Sequence, residues 1–251
     1  MVPKEVMKTR EVEGCCPISV VIPALNEEEE IGECLESMHQ QSFPYFEVIV
    51  ADNGSTDATA SIARMHGAHV IEERERGIAR ARQAGFEAAR GEIIASTDAD
   101  TVVPANWISQ IHHAFTEDPT LCAVFGPFHL KRGSSPDPRI NRLIPYLERL
   151  VTSYHRGTTA LGLPQFSGTN FAVRKGVFFQ TGGFRSPKDG HYYRRSEDIQ
   201  LGLKLHRAGK VRFLESLAVC TSARKINRDL WKIPISNVPD YFSFFVRNGE
   251  V

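Results

Sequence analysis

The chain has 251 residues, of which 41% are hydrophobic and 24% charged, as in ordinary globular proteins. Basic and acidic residues both number 30, so the formal net charge is +0 and there is no basic excess of the kind that marks nucleic-acid-binding proteins. The five cysteines form no CxxC pair, which argues against a zinc site or a disulfide framework and favours a reducing, cytoplasmic location.

Strand and helix patterns alternate through the first part of the chain. Short runs rich in valine and isoleucine predict strands at 18–24, 46–51, 69–73 and 92–97. Apolar residues at helical spacing predict helices between them, the first capped by Asn26 and the second by Ser55 or Thr56. Repeated β-α units imply an α/β fold with a mainly parallel sheet, helices on both faces and a Rossmann-like first half.

The second half of the chain has less regular patterns. Residues 121–128 predict a strand, residues 131–139 predict a polar loop, and Pro145 interrupts the helical pattern that follows. Residues 196–210 predict a helix with Ser196 as its N-cap. Because no repeat, low-complexity tract or linker divides the sequence, we expect a single domain.

Polar side chains follow three of the predicted strands at their carboxyl ends, where parallel sheets bind ligands. They are Asn26 and Glu27, Asp52 and Asn53, and Asp98 and Asp100. If the fourth strand stays extended, Asp98 and Asp100 point the same way, with the small Ala99 between them. Two close carboxylates fit a hard cation such as Mg²⁺ or Mn²⁺ that also binds phosphate oxygens. The alternative is structural: Asp98 caps a turn and Asp100 is solvated.

The loop after the first strand argues against a dinucleotide-binding domain. Such a domain needs G-x-G-x-x-G there, so that bare helix amides face the pyrophosphate. This chain has PALNEEEE, which contains no glycine and whose negative charge repels phosphate. If a nucleotide binds, its phosphates must lie elsewhere, and a metal at the two aspartates is the natural place.

Two further stretches have both a functional and a structural interpretation. In RGIARARQAG, Arg82 is a candidate for contact with a base or a phosphate, although a solvated helix face fits the same spacing. In RRSEDIQLG, Glu197 or Asp198 is a candidate general base that takes a proton from a substrate hydroxyl. Acidic residues in a first helical turn also stabilise the helix dipole, and position alone favours that interpretation.

Together these stretches resemble glycosyltransferase family 2, with its GT-A fold. The matching stretches occur in the family's order and cover about residues 18–210: VVIPALNEEEEI, VIVADNGSTDAT, GIARARQAG, IIASTDAD, GTNFAVRK, GGF and SEDIQLGLKLHRAG. The resemblance implies one glycosyltransferase domain, 1–251. It would comprise a nucleotide-sugar-binding half at 18–103, an acceptor and catalytic half at 104–220, and a C-terminal tail at 221–251.

The resemblance implies a donor site at the first strands. Pro23, Ala24 and Glu27 match the positions that line the base and ribose pocket. Asp52 matches the acidic residue that hydrogen-bonds the nucleobase. Arg82 matches the arginine of the family's A-R-N stretch, which is A-R-Q here.

The same resemblance implies a metal and a catalytic base. Asp98, Ala99 and Asp100 match the D-x-D motif, whose second aspartate usually holds Mg²⁺ or Mn²⁺ and whose first lies near the ribose and donor sugar. Asp198 matches the second residue of the E-D pair, the usual catalytic base. The implied reaction inverts the sugar's stereochemistry as it moves from a UDP- or GDP-linked donor to an acceptor hydroxyl. No Q-x-x-R-W motif follows the E-D pair, which favours transfer of a single sugar.

The acceptor side is less sharply defined. Gly168, Thr169 and Asn170 match a stretch that shapes the donor-sugar and acceptor side, Glu197 is the first residue of the E-D pair, and Arg224 is a candidate diphosphate contact. The expected acceptor is a carbohydrate, a lipid or a small molecule, in polysaccharide, glycolipid or polyprenyl-phosphate sugar synthesis. No nucleic acid partner is expected.

The sequence also suggests where the protein works. The first residues have no apolar stretch typical of a signal peptide, and no run approaches the roughly 20 apolar residues that span a bilayer. We therefore expect a cytoplasmic protein. The aromatic residues of the tail, from Trp231 to Phe245, either pack on the domain or touch the inner face of the membrane.

Two other functions stay open. A nucleotidyltransferase has a similar nucleotide-binding sheet, but it normally has a glycine-rich, basic loop after the first strand, the opposite of PALNEEEE. A catalytically inactive nucleotide-sugar-binding module often loses one of the key aspartates, whereas Asp98, Asp100 and Asp198 are all present. Turnover of a panel of donors distinguishes these functions.

Overall fold

The computed structural model of the chain describes residues 17–131, 138–162, 164, 166–185 and 197–224. Its strands are β1 (Ile18–Ala24), β2 (Phe46–Asp52), β3 (His69–Glu72), β4 (Ile93–Ser96), β5 (Thr101–Val102), β6 (Leu121–Phe125), β7 (Phe128–Leu130), β8 (Phe171–Arg174), β9 (Lys210–Phe213) and β10 (Val219–Thr221). Its helices are α1 (Ile31–His39), α2 (Thr59–Met65), α3 (Ile78–Ala88), α4 (Trp107–Glu117), α5 (Pro138–Ala160), α6 (Lys175–Gln180) and α7 (Glu197–Ala208). The predicted N-cap at Ser196 and the aromatic tail from Trp231 onward lie outside the described residues.

The main sheet has seven strands in the order β3-β2-β1-β4-β8-β6-β9. Neighbouring strands are parallel except at β8, which runs antiparallel to both β4 and β6. This arrangement confirms the expected α/β fold with a mainly parallel sheet.

Apolar side chains pack on both faces of this sheet. Ile18, Val20 and Ile22 of β1 belong to a core shared with α1 and α4. Val21, which points the other way, belongs to a second core shared with α3, α6 and α7. Because helices cover both faces, β1 is a continuous apolar run rather than an alternating one.

A crevice opens between β1 and β4, where the strand order reverses. The chain goes from β1 outward to β2 and β3, then returns to β4 on the other side of β1. The β1–β4 ladder ends at the pair Val21 and Ser96, whereas the β1–β2 ladder continues to Ala24 and Asp52. Ligands of open α/β sheets bind at such a switch point, beyond the carboxyl ends of the strands. Pro23, which has no N–H to donate, lies past the last β4 pair.

The first two helices begin later than the sequence indicated. Asn26 does not cap α1: it has a φ of 54°, and its Oδ1 accepts a hydrogen bond from the N–H of Thr56 at 2.9 Å. For α2, the oxygen that accepts from the N–H of Thr59 is Oδ1 of Asp57, at 3.0 Å, rather than a hydroxyl of Ser55 or Thr56. Asn26 and Asp57 hold the loop after β1 against the loop after β2.

Helix α5 continues through Pro145 instead of breaking there. A proline inside a helix removes one backbone hydrogen bond. Here the neighbouring Ile144 is 1% exposed and packs with Leu130 and Ala223, which holds this part of the helix in place. Nowhere in the described part of the chain is a helix both long enough and apolar enough to span a bilayer.

Candidate functional site

The two aspartates lie in a tight turn between β4 and β5. The carbonyl oxygen of Asp98 accepts a hydrogen bond from the N–H of Thr101 at 3.1 Å, so the chain is not extended here and the same-side argument from the sequence does not apply. The negative charges of both carboxylates nevertheless affect the same group, the buried thiol of Cys34 in α1. Burial, followed by the charges of Asp100 and Asp98, raises the pKa of this thiol. Sγ of Cys34 is 3.6 Å from the carbonyl oxygen of Asp98, so the turn that carries both carboxylates packs beside α1.

Asp100 is held by a second, three-stranded sheet with the order β5-β10-β7. The N–H of Ser222 donates to the carbonyl oxygen of Asp100 at 3.1 Å, and Oγ1 of Thr221 donates to its Oδ1 at 3.2 Å. β10 thus brings residues 221–224 into the candidate site. Sequence patterns could not show this, because these strands have only two or three residues and pair across long separations.

Arg82 of α3 joins two parts of the site that are far apart in the sequence. Its guanidinium is 2% exposed, and it donates from Nη2 to Oδ1 of Asp98 and from Nη1 to Oε1 of Glu197, both at 2.7 Å. Burial lowers the pKa of Arg82, but the surrounding carboxylates outweigh burial and raise it. The guanidinium is thus buried against carboxylates, and its contact with a base or a phosphate stays a prediction. Arg82 holds Asp98 and Glu197 in place.

Gly168 lies between Arg82 and the second acidic residue of α7. Its N–H donates to Oδ2 of Asp198 at 2.9 Å. A Cβ atom at residue 168 would collide with the guanidinium of Arg82. Only glycine lets the backbone approach both groups this closely.

Asp198 lies in the first turn of α7 with both carboxylate oxygens in hydrogen bonds to backbone N–H groups. Oδ2 accepts from Gly168, and Oδ1 accepts from Ile199 at 2.9 Å. Burial, and then the charge of Glu197, raise the pKa of Asp198 to about 6, and the charge of Arg82 opposes them. A fixed carboxylate with a raised pKa is suited to general-base chemistry near neutral pH.

The acidic turn after β1 is bound by an arginine from the end of the described chain. Arg224 donates from Nη2 to Oε2 of Glu27 and from Nη1 to Oε2 of Glu29, both at 2.7 Å. Ser222 adds a hydrogen bond from Oγ to Oε1 of Glu30 at 3.3 Å. Arg224, a candidate diphosphate contact from the sequence, is thus at the site but paired with carboxylates in this structure.

Asp52 ends β2 with a buried acceptor. Its side chain is 5% exposed, and Oδ2 accepts from the N–H of Ser55 at 3.3 Å. Oδ1 is buried and has no hydrogen-bond partner among the described residues. Asp52 pairs in the sheet with Ala24, the last residue of β1, so this acceptor lies at the carboxyl ends of β1 and β2. A buried, unpaired carboxylate oxygen is costly, and a ligand N–H would satisfy it.

Asn53 has a role that the sequence did not specify. Its Nδ2 donates to the carbonyl oxygens of Glu73 and Glu75 at 3.0 and 2.8 Å, and its Oδ1 accepts from the N–H of Gly77 at 2.7 Å. One buried amide thus fixes the loop that leads into α3. An asparagine directly after a strand is a signal for such a contact, but it does not say which loop is held.

The GGF turn is tied to two helices that sequence analysis did not link to it. Oε1 of Gln83 in α3 accepts from the N–H of Phe184 at 3.1 Å. Nζ of Lys204 in α7 donates to the carbonyl oxygens of Gly183 and Arg185. Burial lowers the pKa of Lys204 to about 8.

Thr169 and Asn170 fix the segment that follows Gly168 to the rest of the fold. Oγ1 of Thr169 is 2.6 Å from Oγ of Ser167, and its carbonyl oxygen accepts from Oγ1 of Thr97 at 2.9 Å. Asn170 is 0% exposed, its Oδ1 accepts from Nε1 of Trp107 at 3.0 Å, and its Nδ2 donates to two carbonyl oxygens. The side chain of Asn170 is therefore part of the framework of the fold, and a role of this stretch in shaping the acceptor side stays a prediction.

The residues present fit a divalent cation only together with a ligand. Among the described residues, no group of three or more His, Cys, Asp and Glu is placed to hold a metal ion. Mg²⁺ and related ions need only one or two carboxylates when substrate phosphates supply further oxygens. Asp98 and Asp100, both partly exposed at the crevice, provide such carboxylates.

Comparison with known proteins identifies relatives of this chain. The sequence profile of "Glycosyl transferase family 2" matches residues 19–181. "Glycosyltransferase AglE" of Haloferax volcanii is 37% identical over 101 residues, which cover 37% of this chain and 33% of the relative. "Putative glycosyltransferase EpsH" of Bacillus subtilis is 33% identical over 99 residues, 38% of this chain and 29% of the relative. The matched part thus spans about a third of the length of these curated relatives.

Solved structures share the fold over a larger part of the chain. The mannosyltransferase PcManGT from Pyrobaculum calidifontis, in complex with GDP-Man and Mn²⁺, has a TM-score of 0.67 at 23% identity and covers 94% of this chain and 65% of its own. TarS of S. aureus in complex with UDP-GlcNAc has a TM-score of 0.62 at 19% identity, covering 83% and 59%. These similarities confirm the expected GT-A fold.

Proposed function

Because the chain belongs to glycosyl transferase family 2, we propose that it transfers one sugar, with inversion, from a nucleoside-diphosphate sugar to an acceptor hydroxyl. One observation carries the proposal. Arg82 binds Asp98 at the end of β4 and Glu197 at the start of α7, both at 2.7 Å, so the D-x-D and E-D pairs belong to one site. Asp198, next to Glu197, would then lie beside the donor.

The crevice between β1 and β4 is the proposed nucleotide site. The unpaired Oδ1 of Asp52 would accept a hydrogen bond from the base, and Pro23, Ala24 and Glu27 would line the base and ribose pocket. UDP and GDP are the candidate nucleotides. Structural neighbours bind GDP-Man and UDP-GlcNAc, which supports both.

Asp100, together with Asp98, would hold the divalent cation. When bound, Mg²⁺ or Mn²⁺ supplies positive charge that stabilises the departing diphosphate. Two neighbours were crystallised with Mn²⁺, which supports a divalent metal in this site. Thr221 and Ser222 fix Asp100 from β10, so its carboxylate is positioned before any ligand arrives.

Asp198 is the proposed general base. It takes the proton from the acceptor hydroxyl as that oxygen attacks the anomeric carbon, while the bond from this carbon to the diphosphate oxygen breaks. The N–H groups of Gly168 and Ile199 hold the carboxylate in position. The acceptor would be a carbohydrate, a lipid or a small molecule.

The described cysteines, Cys34, Cys122 and Cys220, are free, which supports a cytoplasmic location as part of this proposal.

Asp198→Asn tests the proposal directly. We expect the variant to lose at least about a hundredfold in sugar transfer, the range of general-base contributions, and to keep its affinity for the nucleotide diphosphate. The measurements are turnover of UDP- and GDP-sugars with and without Mn²⁺, and calorimetric titration with UDP or GDP. Glu36→Gln, an exposed change in α1, is the matched control.

The outcomes separate the candidate functions. Normal transfer by Asp198→Asn would remove the residue from the base role. Nucleotide binding without turnover of any donor by the unmodified protein would favour an inactive binding module. Arg224 and the acidic turn that it binds leave no basic loop for a triphosphate after β1, so no observation favours a nucleotidyltransferase.

A further inference from the structure

The outward face of α5 has a row of large apolar side chains. Leu143, Tyr146 and Leu150 are 52%, 71% and 64% exposed, and Leu161, just after the helix, is 78% exposed. At 100° per residue these four positions fall within a sector of about 60°, and they span about 27 Å along the helix axis. Scattered exposed apolar residues are normal, but several of them on one side of a helix mark an interaction surface.

A row of arginines runs beside the apolar row. Arg142, Arg149 and Arg156 are all exposed, and their spacing of seven residues places them along one side of the helix. Arg156 also forms an ion pair at 2.5 Å with Glu215, but both partners are more than half exposed, so that pair is weak. The surface defined by these three arginines and the four apolar residues is called the α5 face below.

Ile144, Glu148 and His155 lie on the side of α5 that faces the protein. Ile144 packs with Leu130 and Ala223, and His155 is 6% exposed between aromatic rings. Glu148 turns inward and accepts a hydrogen bond from the N–H of Leu130 at 2.8 Å. Because the acidic residue of the helix is used internally, the outward face is both apolar and positively charged.

We propose that the α5 face docks on the surface of a lipid bilayer containing anionic lipids. An amphipathic helix with leucine and tyrosine on one side and arginine next to them lies in the interface, with the apolar side chains among the acyl chains. The arginines extend to the negatively charged headgroups. This charge complementarity distinguishes a bilayer from an apolar protein partner, which would offer Arg142 and Arg149 no counter-charge.

The segment that follows α5 leads to the candidate site. After α5 the chain passes Gly162, where a Cβ atom would lie 3.1 Å from Nε2 of His206 in α7. It then continues to Gly168, which binds Asp198. The docking itself does not depend on the proposed sugar transfer.

Vesicle co-sedimentation of the full chain tests the proposal. We expect binding to vesicles of equal parts phosphatidylglycerol and phosphatidylcholine, weaker binding to phosphatidylcholine alone, and loss of binding at high salt. The triple variant Leu143→Ser, Tyr146→Ser and Leu150→Ser should remove binding. Arg142→Gln and Arg149→Gln should each weaken it about fivefold, the effect of one basic residue at an anionic surface.

Matched controls lie on α2. Met65→Ser changes a residue that is 71% exposed, like Tyr146, and Arg64→Gln removes an exposed arginine, so neither should alter vesicle binding. Because every changed residue is exposed, the melting temperature should move little. As a second readout, Tyr146→Trp should show a blue-shifted emission when anionic vesicles are added, after subtraction of the unmodified protein's signal.

Three results would overturn the proposal. The first is no binding of the unmodified protein to anionic vesicles. The second is binding that the triple variant retains, which would point to another segment such as the aromatic tail. The third is a dimer in light scattering that the triple variant turns into a monomer without vesicle binding in either, which would make the α5 face a contact between copies of the chain.

Discussion

At the scale of single residues, the geometry of the site depends on a buried positive charge. Arg82 is 2% exposed and contacts two carboxylates from segments that are 16 and 115 residues away. A buried ion pair adds little net stability, but removing one partner leaves an uncompensated charge. Arg82 therefore positions Asp98 and Glu197, a role that its place in α3 does not indicate by itself.

We expect Arg82→Met to reduce the free energy of unfolding by about 3 kcal/mol, because the buried Glu197 and the partly exposed Asp98 lose their partner. Arg82→Lys should recover part of the stability but little of the activity, since an ammonium group cannot bind both carboxylates in the fixed geometry of a guanidinium. Urea unfolding and donor turnover measure the two effects.

Arg80 provides the matched control, because it lies in the same helix and forms a more exposed ion pair with Glu75 at 2.7 Å. Arg80→Met should change the free energy of unfolding by less than about 1 kcal/mol. If Arg82→Met were as mild as Arg80→Met, Arg82 would not be the residue that joins the two halves of the site.

The contacts of Arg82 also show where prediction from sequence stops. The aspartates after β4 and the E-D pair at α7 stand out because their local patterns are recognisable. That Arg82 would bind both could not be predicted, because the contact to Glu197 depends on how α3 and α7 pack on one face of the sheet. The same spacing fits a ligand contact or a solvated position equally well.

At the scale of elements, local patterns predict the long strands and helices but not the short ones. β1, β2, β3 and β4 have apolar runs of their own and appear close to the predicted bounds. β5, β7 and β10 have two or three residues each and exist only because they pair with one another. The same limit applies to α5, where tertiary packing around Ile144 outweighs the helix-breaking tendency of Pro145.

α5 also contains a buried histidine that should make stability depend on pH. His155 is 6% exposed, its ring lies about 6 Å from those of Phe125 and Phe213, and burial lowers its pKa to about 4. The unfolded chain, with an ordinary histidine pKa of about 6.5, binds the proton more readily. Between these two pKa values, the free energy of unfolding decreases as the pH falls, and His155 accounts for up to roughly 3 kcal/mol of that decrease.

We expect His155→Leu to remove this part of the pH dependence. The free energy of unfolding of the variant, relative to that of the unmodified protein, should therefore increase as the pH is lowered from 6.5 to 4. Urea unfolding at several pH values measures it. Asp198, whose pKa is raised, has the opposite effect in this range, but it is present in both proteins and cancels in the comparison. His113→Leu, at a position that is 78% exposed, is the control. Parallel stability curves for His155→Leu and the unmodified protein would contradict the assignment.

At the scale of the whole molecule, one antiparallel strand explains how the second half reaches the site. Phe171, the first residue of β8, pairs with Ser96, the last residue of β4. Because β8 runs in the opposite direction, the residues just before it lie at the carboxyl edge of β4. Gly168 is thereby placed beside Asp98 and Arg82. A fully parallel sheet would carry these residues to the other edge, away from the crevice.

Asn170 fixes this placement to the rest of the fold. Its side chain connects Trp107 of α4 with the carbonyl oxygens of Pro127 and Leu217, so one amide joins three segments directly beneath Gly168. Its replacement by alanine would leave a buried indole N–H and two carbonyl oxygens without this partner. Each unsatisfied buried group costs about 1–3 kcal/mol. We therefore expect Asn170→Ala to lower the free energy of unfolding by about 4 kcal/mol.

Denaturant unfolding of Asn170→Ala measures this loss, with Asn106→Ala as the control. Asn106 precedes α4, is exposed, and forms no side-chain capping bond, so its replacement should change stability by less than about 0.5 kcal/mol. A matching loss in both variants would mean that the amide of Asn170 is dispensable. If Asn170→Ala is much less stable yet keeps its nucleotide affinity at low temperature, the donor site of the first half forms independently of the segment that carries Gly168. If affinity falls as well, the buried amide couples the two halves of the site.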